Sequence, residues 1–131
     1  MRLHAEQIDH INLVNWFNYK FPELAEDFHH FANERKCSTQ QGRTLKRMGV
    51  KKGVSDFFLA LPQENYSGLW IELKVNSGKL SPEQKQFIDR KNQRGYCALP
   101  VWGETAAKMV ILTYLKDYLS NRCKNEPKIG I

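Results

Sequence analysis

Glu72 and Lys74 stand two residues apart in the stretch LWIELKV, residues 69–75. In an extended strand side chains alternate, so Leu69, Ile71, Leu73 and Val75 turn to one face while Trp70, Glu72 and Lys74 turn to the other. The first face is all core. The second sets a carboxylate and an ammonium roughly 7 Å apart at Cβ, given ~3.3 Å of rise per residue, so both can serve one site. Asp56 opens the preceding apolar run DFFLAL. If the two strands pair as a hairpin with the residues between them looped out, its carboxylate arrives beside Glu72. Two carboxylates and a lysine suit phosphodiester hydrolysis. Hard oxygen donors hold Mg²⁺ or Mn²⁺ without completing its shell, leaving positions for a water and a phosphate oxygen. Such an ion acidifies the water and offsets the charge of a phosphorane-like transition state, and a neighbouring ammonium orients the nucleophile or neutralises that same charge. On the E-x-K spacing alone, a surface ion pair worth less than ~1 kcal/mol and a turn-capping aspartate are the simpler account. Short patterns of this kind recur by chance, and the surrounding residues decide.

The elements that must position these groups follow from periodicity and punctuation. Ile8, Ile11, Leu13, Val14, Trp16 and Phe17 recur at helical spacing and predict a helix over about residues 4–19. FPELAEDFHHFANE, residues 21–34 with Pro22 near its start, reads as a second, shorter helix followed by a turn. Residues 56–61 and 69–75 form two strands on either side of the turn-rich PQENYSG, a hairpin. In SPEQKQFIDRKNQRG, Ser81 is an N-cap, Pro82 the first helical residue, Gln84 the third position of a capping box and Gly95 the stop. Residues 96–101 supply a third strand and 104–119 a closing helix; residues from about 121 to 131 read as a flexible tail. The layout is α/β, one mixed sheet flanked by helices, and the whole of residues 1–131 is expected to be a single domain.

Charge points to the partner. Lys and Arg outnumber Asp and Glu by 20 to 14, a formal net charge of +6. The excess is concentrated in residues 35–52, RKCSTQQGRTLKRMGVKK, where Arg35, Lys36, Arg43, Lys46, Arg47, Lys51 and Lys52 meet no acidic residue. A charge run can be a solvated loop or exposed helix. A surplus of this size also suits a polyanion, because each base placed on a phosphate releases condensed counterions. No apolar run approaches the ~18 residues of a membrane span. The N-terminus lacks an apolar signal region and the three cysteines, Cys37, Cys97 and Cys123, are far apart with no CxxC unit. These features predict a reduced cytoplasmic protein without a structural zinc site.

Taken together, RTLKRMGVKKGVSDFFLALP, GLWIELKVNSGKLSPEQKQFI and RGYCALPVWGETAA resemble the VRR-NUC domain, a virus-type replication-repair nuclease branch of the PD-(D/E)xK superfamily, over nearly the whole chain. The G-V-S-D string matches the family's G-x-x-D signature and places its aspartate at Asp56, with Ser55 where many relatives carry proline. E-x-K maps to Glu72 and Lys74, and the glutamine on the following helix to Gln84. The first-helix carboxylate maps to Glu6, with Asp9 one turn along the same face as the alternative. The resemblance implies a restriction-endonuclease-like core. It further implies a Mg²⁺ or Mn²⁺ ion on Asp56, Glu72 and the main-chain carbonyl of Leu73, with Glu6 assisting and Lys74 positioning or activating the nucleophile. His29 and His30 diverge on the expected helix and read as surface or core residues; His4 and His10 flank Glu6 and are poorer ligands for an ion that prefers oxygen.

Stand-alone members of the family resemble junction resolvases, which implies a structure-selective endonuclease of phage or prophage type acting on branched DNA such as Holliday junctions. A non-catalytic DNA-binding module would use the basic segment equally well, and a flap, restriction-type or RNA-directed nuclease would use the same fold. One centre cuts one strand, whereas a four-way junction needs two related cuts, so a two-fold homodimer is expected. Trp16, Phe17, Tyr19, Phe21, Phe28 and Phe31 exceed what one helix stripe needs and are the expected apolar contact.

Overall fold

Alternation in LWIELKV does what it predicts: these residues form the strand around which the rest of the fold is arranged. In the computed structural model, which describes residues 3–32 and 38–125 and the side chains as far as residue 121, the order is as follows. Helix α1 spans Ala5–Lys20, a 3-10 turn Pro22–Asp27, strand β1 Phe28–His30 and helix α2 Thr39–Arg47. Strands β2 (Phe57–Leu59) and β3 (Leu69–Lys74) come next, then α3 (Pro82–Gln93), β4 (Cys97–Trp102), α4 (Glu104–Tyr114) and α5 (Lys116–Asn125). The four strands lie in the order β1-β2-β3-β4. The first three are antiparallel neighbours, whereas β3 and β4 run parallel and are joined through α3. Among the described residues no helix is long and apolar enough to cross a membrane.

The two faces of β3 bury different things. Leu69, Ile71 and Leu73 join Phe57 and Leu59 in a core shared with Leu13 and Phe17 of α1 and Ala107 and Ile111 of α4. Trp70 instead packs with Ile88 of α3 and Ala98 of β4. Truncating a fully buried member such as Phe17 or Ile111 to Ala is expected to cost about 3–5 kcal/mol, from lost transfer energy plus the residual cavity. Helix α3 starts where its punctuation says: the Ser81 hydroxyl accepts from the Gln84 N–H at 3.1 Å, and the Gln84 side chain accepts from the Ser81 N–H at 2.8 Å.

Two elements depart from expectation, and the basic segment takes one of the two forms open to it. The described part of residues 21–34 is not the expected second helix but the 3-10 turn and then β1, which pairs Phe28 with Leu59 and His30 with Phe57. The Phe28 ring stacks between Phe17 and Phe57, at 4.3 and 5.1 Å between centroids, so tertiary pairing overrides the local pattern. The basic segment contains a helix, α2, begun by a capping box of Ser38 and Gln41 and burying no side chain. The closing helix breaks at Leu115, which is fully buried in the core, and resumes as α5 through Asn125. The expected tail is therefore helical over 121–125, and 126–131 lie outside the described residues.

Candidate functional site

The β2–β3 hairpin pairs Phe57 with Ile71, which brings Asp56, one residue before β2, alongside Glu72 and Leu73. Main-chain N–H groups of the paired strands hold both side chains. The Asp56 N–H donates to Glu72 Oε2 at 3.1 Å, and the Leu73 N–H donates to Asp56 Oδ2 at 2.8 Å. Asp56 and Glu72 are only 6% and 3% exposed. Lys74 Nζ lies 3.6 Å from Glu72 Oε1, and the Gln84 side-chain amide donates to that same oxygen. Gln84 thus serves both readings open to it, capping Ser81 with its carbonyl and holding Glu72 with its amide.

Gly53 explains how the loop reaches this geometry. Its φ of +83° is a conformation that side-chain-bearing residues rarely adopt, and a Cβ there would meet the carbonyl carbon and oxygen of Glu83 at 2.5 Å. Only glycine lets the G-V-S-D loop lie flat on the first turn of α3. Ser55, where proline was the expected family residue, is buried and its hydroxyl has no hydrogen-bond partner among the described residues.

From α1 come Glu6 and His10. His10 Nε2 is 3.8 Å from Glu6 Oε1 and 3.7 Å from Asp56 Oδ2, and ligand atoms of Glu6, His10 and Asp56 all lie within 4.8 Å of one another. Asp9 is outside this group. His4 is the N-cap of α1, where its N–H donates to the Gln7 side chain. His30 differs from expectation: it lies on β1 with its Nδ1 2.9 Å from the carbonyl oxygen of Asp56 and its ring 5.0 Å from that of His10. The i,i+4 spacing of Glu6 and His10 was the available sequence signal for the first histidine. For the second there was none while β1 read as helix.

Burial drives the electrostatics. It pushes the Asp56 carboxyl above its ordinary range, with His10 pulling the other way. Burial, then the charge of Asp56, pushes Glu72 up to about 8. Ionised together, three carboxylates beside one ammonium would leave an excess of negative charge in a desolvated place. A divalent cation compensates such a set, and the oxygen donors of Asp56, Glu72 and Glu6 fit one.

The described basic residues of the 35–52 segment, Arg43, Lys46 and Arg47 on α2 with Lys51 and Lys52 after it, are solvent-exposed; Arg35 and Lys36 lie outside the described residues. The expected aromatic interface is largely consumed by the core: Phe17 and Phe21 are fully buried and Trp16 and Phe28 pack against them, whereas Tyr19 is 89% exposed. A cavity of about 410 Å³ beside Tyr66, Cys97, Leu99, Met109 and Tyr114 includes none of the charged centre.

Comparison with known proteins finds a family and a structural neighbour. The model of the VRR-NUC domain matches residues 4–104. A solved structure of a VRR_NUC domain protein superposes with a TM-score of 0.77 at 28% identity, covering 88% of this chain and 92% of the other. No curated protein matches.

Proposed function

The chain belongs to the VRR-NUC domain family, a nuclease family, and from that premise we propose that it is a metal-dependent DNA endonuclease acting on branched DNA, in the manner of a Holliday-junction resolvase. The observation that carries this reading is the convergence of Asp56, Glu72, Lys74 and Gln84 at one place on the sheet. Asp56 and Glu72, with the main-chain carbonyl of Leu73 and with Glu6 from α1, would hold Mg²⁺ or Mn²⁺. When bound, such an ion supplies a water of lowered pKa and positive charge for the transition state. Gln84 and the Asp56 N–H each hold one oxygen of Glu72, which fixes the orientation of the carboxylate. Lys74 sits where an ammonium can orient an attacking water or neutralise charge on the phosphate. Arg43, Lys46, Arg47, Lys51 and Lys52, with Arg35 and Lys36 before them, would track the DNA backbone.

Shape and phosphate contacts would select the substrate, since among the described residues no element offers side chains assignable to base edges. Two copies related by two-fold symmetry would supply the paired cuts a junction needs, in the cytoplasm of a bacterial or phage-infected cell. The test is cleavage of end-labelled four-way junction, flap, nicked and linear duplexes with Mg²⁺ or Mn²⁺. Paired, symmetric cuts in the junction are expected. Binding without cleavage of any substrate would reduce the protein to a DNA-binding module, and preferential cutting of flaps or linear duplex would move it to those nuclease classes.

A further inference from the structure

Resting on the reading that this centre holds a divalent ion, we propose that the His10 imidazole ligates the ion directly, making a mixed nitrogen–oxygen centre that favours Mn²⁺, and more strongly Co²⁺, over Mg²⁺. Donor atoms roughly 2.0–2.2 Å from a shared ion are about 3 Å apart when adjacent and up to about 4.4 Å apart when opposite. The 3.7 Å from His10 Nε2 to Asp56 Oδ2 and the 3.8 Å to Glu6 Oε1 fall inside that range. Glu6 and His10 are one turn apart on α1, so a single helix face delivers both donors. The ring is also aimed. It meets Phe57 and His30 edge to face at 5.2 and 5.0 Å, contacts that fix its plane with Nε2 directed at the carboxylates. His30 is engaged elsewhere, its Nδ1 at the Asp56 carbonyl oxygen. An imidazole donor gains affinity along the series from Mn²⁺ to Co²⁺, whereas Mg²⁺ keeps its preference for oxygen and water.

The rival role is positioning, with His10 holding Asp56 by charge and touching no metal. Direct spectroscopy separates the two. The DNA-free protein is loaded with Mn²⁺ and electron spin echo envelope modulation records ¹⁴N coupling, while calorimetry gives affinities for MgCl₂, MnCl₂ and CoCl₂. Expected are ¹⁴N modulation in the wild type, its loss in Mn²⁺-loaded His10→Gln, and a fall of tenfold or more in Co²⁺ affinity with Mg²⁺ changed by less than about twofold. Mn²⁺ bound without ¹⁴N modulation would overturn the inference while leaving the metal-dependent nuclease reading intact. An equal loss for all three metals in His10→Gln would also overturn it, and failure of any metal to bind the wild type would overturn both. Should the variant fail to fold by circular dichroism, the wild-type spectrum alone still decides.

Discussion

The charged centre and helix α2 are held in opposite ways. At the centre each group is fixed by another: Asp56 by the Leu73 N–H, Glu72 by the Asp56 N–H and Gln84, and the loop by the close approach of Gly53 to Glu83. Helix α2 buries no side chain and relies on its own capping box. The contrast suits the tasks proposed for each. Displacing a phosphoryl oxygen needs groups placed to within about 0.5 Å, which packed strands supply. Drawing in a polyanion needs only charge near the path, because counterion release tolerates loose geometry. Lesions in the two regions should therefore differ in kind as well as in size.

The largest effect is expected at the centre. Asp56→Asn, Glu72→Gln and Lys74→Ala should each lower single-turnover cleavage of junction DNA by at least about 10³-fold, roughly 4 kcal/mol of transition-state stabilisation, while the circular dichroism spectrum is unchanged. Metal-dependent turnover surviving in Lys74→Ala would break the contrast at its strong end. Next comes the loop. Gly53→Ala forces a side chain into a φ of +83° against the Glu83 carbonyl. It should destabilise the protein by about 1–3 kcal/mol and misplace Asp56, with cleavage down by about 10²-fold when measured well below the melting temperature. Normal activity in this variant would mean that the loop's path is not what sets Asp56.

Helix α2 should behave differently. Replacing Arg43, Lys46 and Arg47 with Ala should weaken binding equally across DNA sequences, flatten the salt dependence by up to ~0.9 log unit per lost phosphate contact, and leave cleavage at saturating protein nearly unchanged. A salt slope equal to the parent's would make α2 a solvated surface with no role in binding.

The same division governs what could be read from the sequence. The hairpin and α3 were legible because their signals are local: alternation in LWIELKV, and Ser81, Pro82 and Gln84 at a helix start. Asp56, Glu72, Lys74 and Gln84 therefore fell where their elements put them. Strand β1 was not legible, because Phe21, Leu24 and Phe28 fit one helical stripe as well as a turn and a strand, and the exposed edge of β2 decides between them. Helix α2 has no buried stripe for periodicity to detect. His10 was discounted on ligand chemistry, and only the fold that carries α1 to Asp56 reveals its neighbours.

The smallest predicted effect joins stability to the centre's charge and is absent from α2. Glu72 has an ordinary carboxyl value of 4.5 and is pushed up to about 8 in the folded chain, by burial first and by the charge of Asp56 second. Between these values the folded state holds a proton that the unfolded state has released. The contribution of Glu72 to the stability of the metal-free protein is then fully present below pH 4.5, falls as pH rises, and levels off above about 8. A loss on the order of 1–3 kcal/mol is expected across this window, seen in chelator as a melting temperature that drops by several degrees between pH 5 and 8.5. Asp56, shifted in the same direction, adds to the slope. Glu72→Gln should flatten it, since the amide carries no titratable proton, and millimolar Mn²⁺ should flatten it in the wild type by compensating the charge that burial opposes. The α2 triple variant should keep the parent slope, because no α2 cation is among the causes of the carboxylate shifts. A wild-type protein equally stable at pH 5 and 8.5 in chelator would show that the carboxylates are compensated within the chain itself, and the electrostatic argument for a cation at this centre would fall with it.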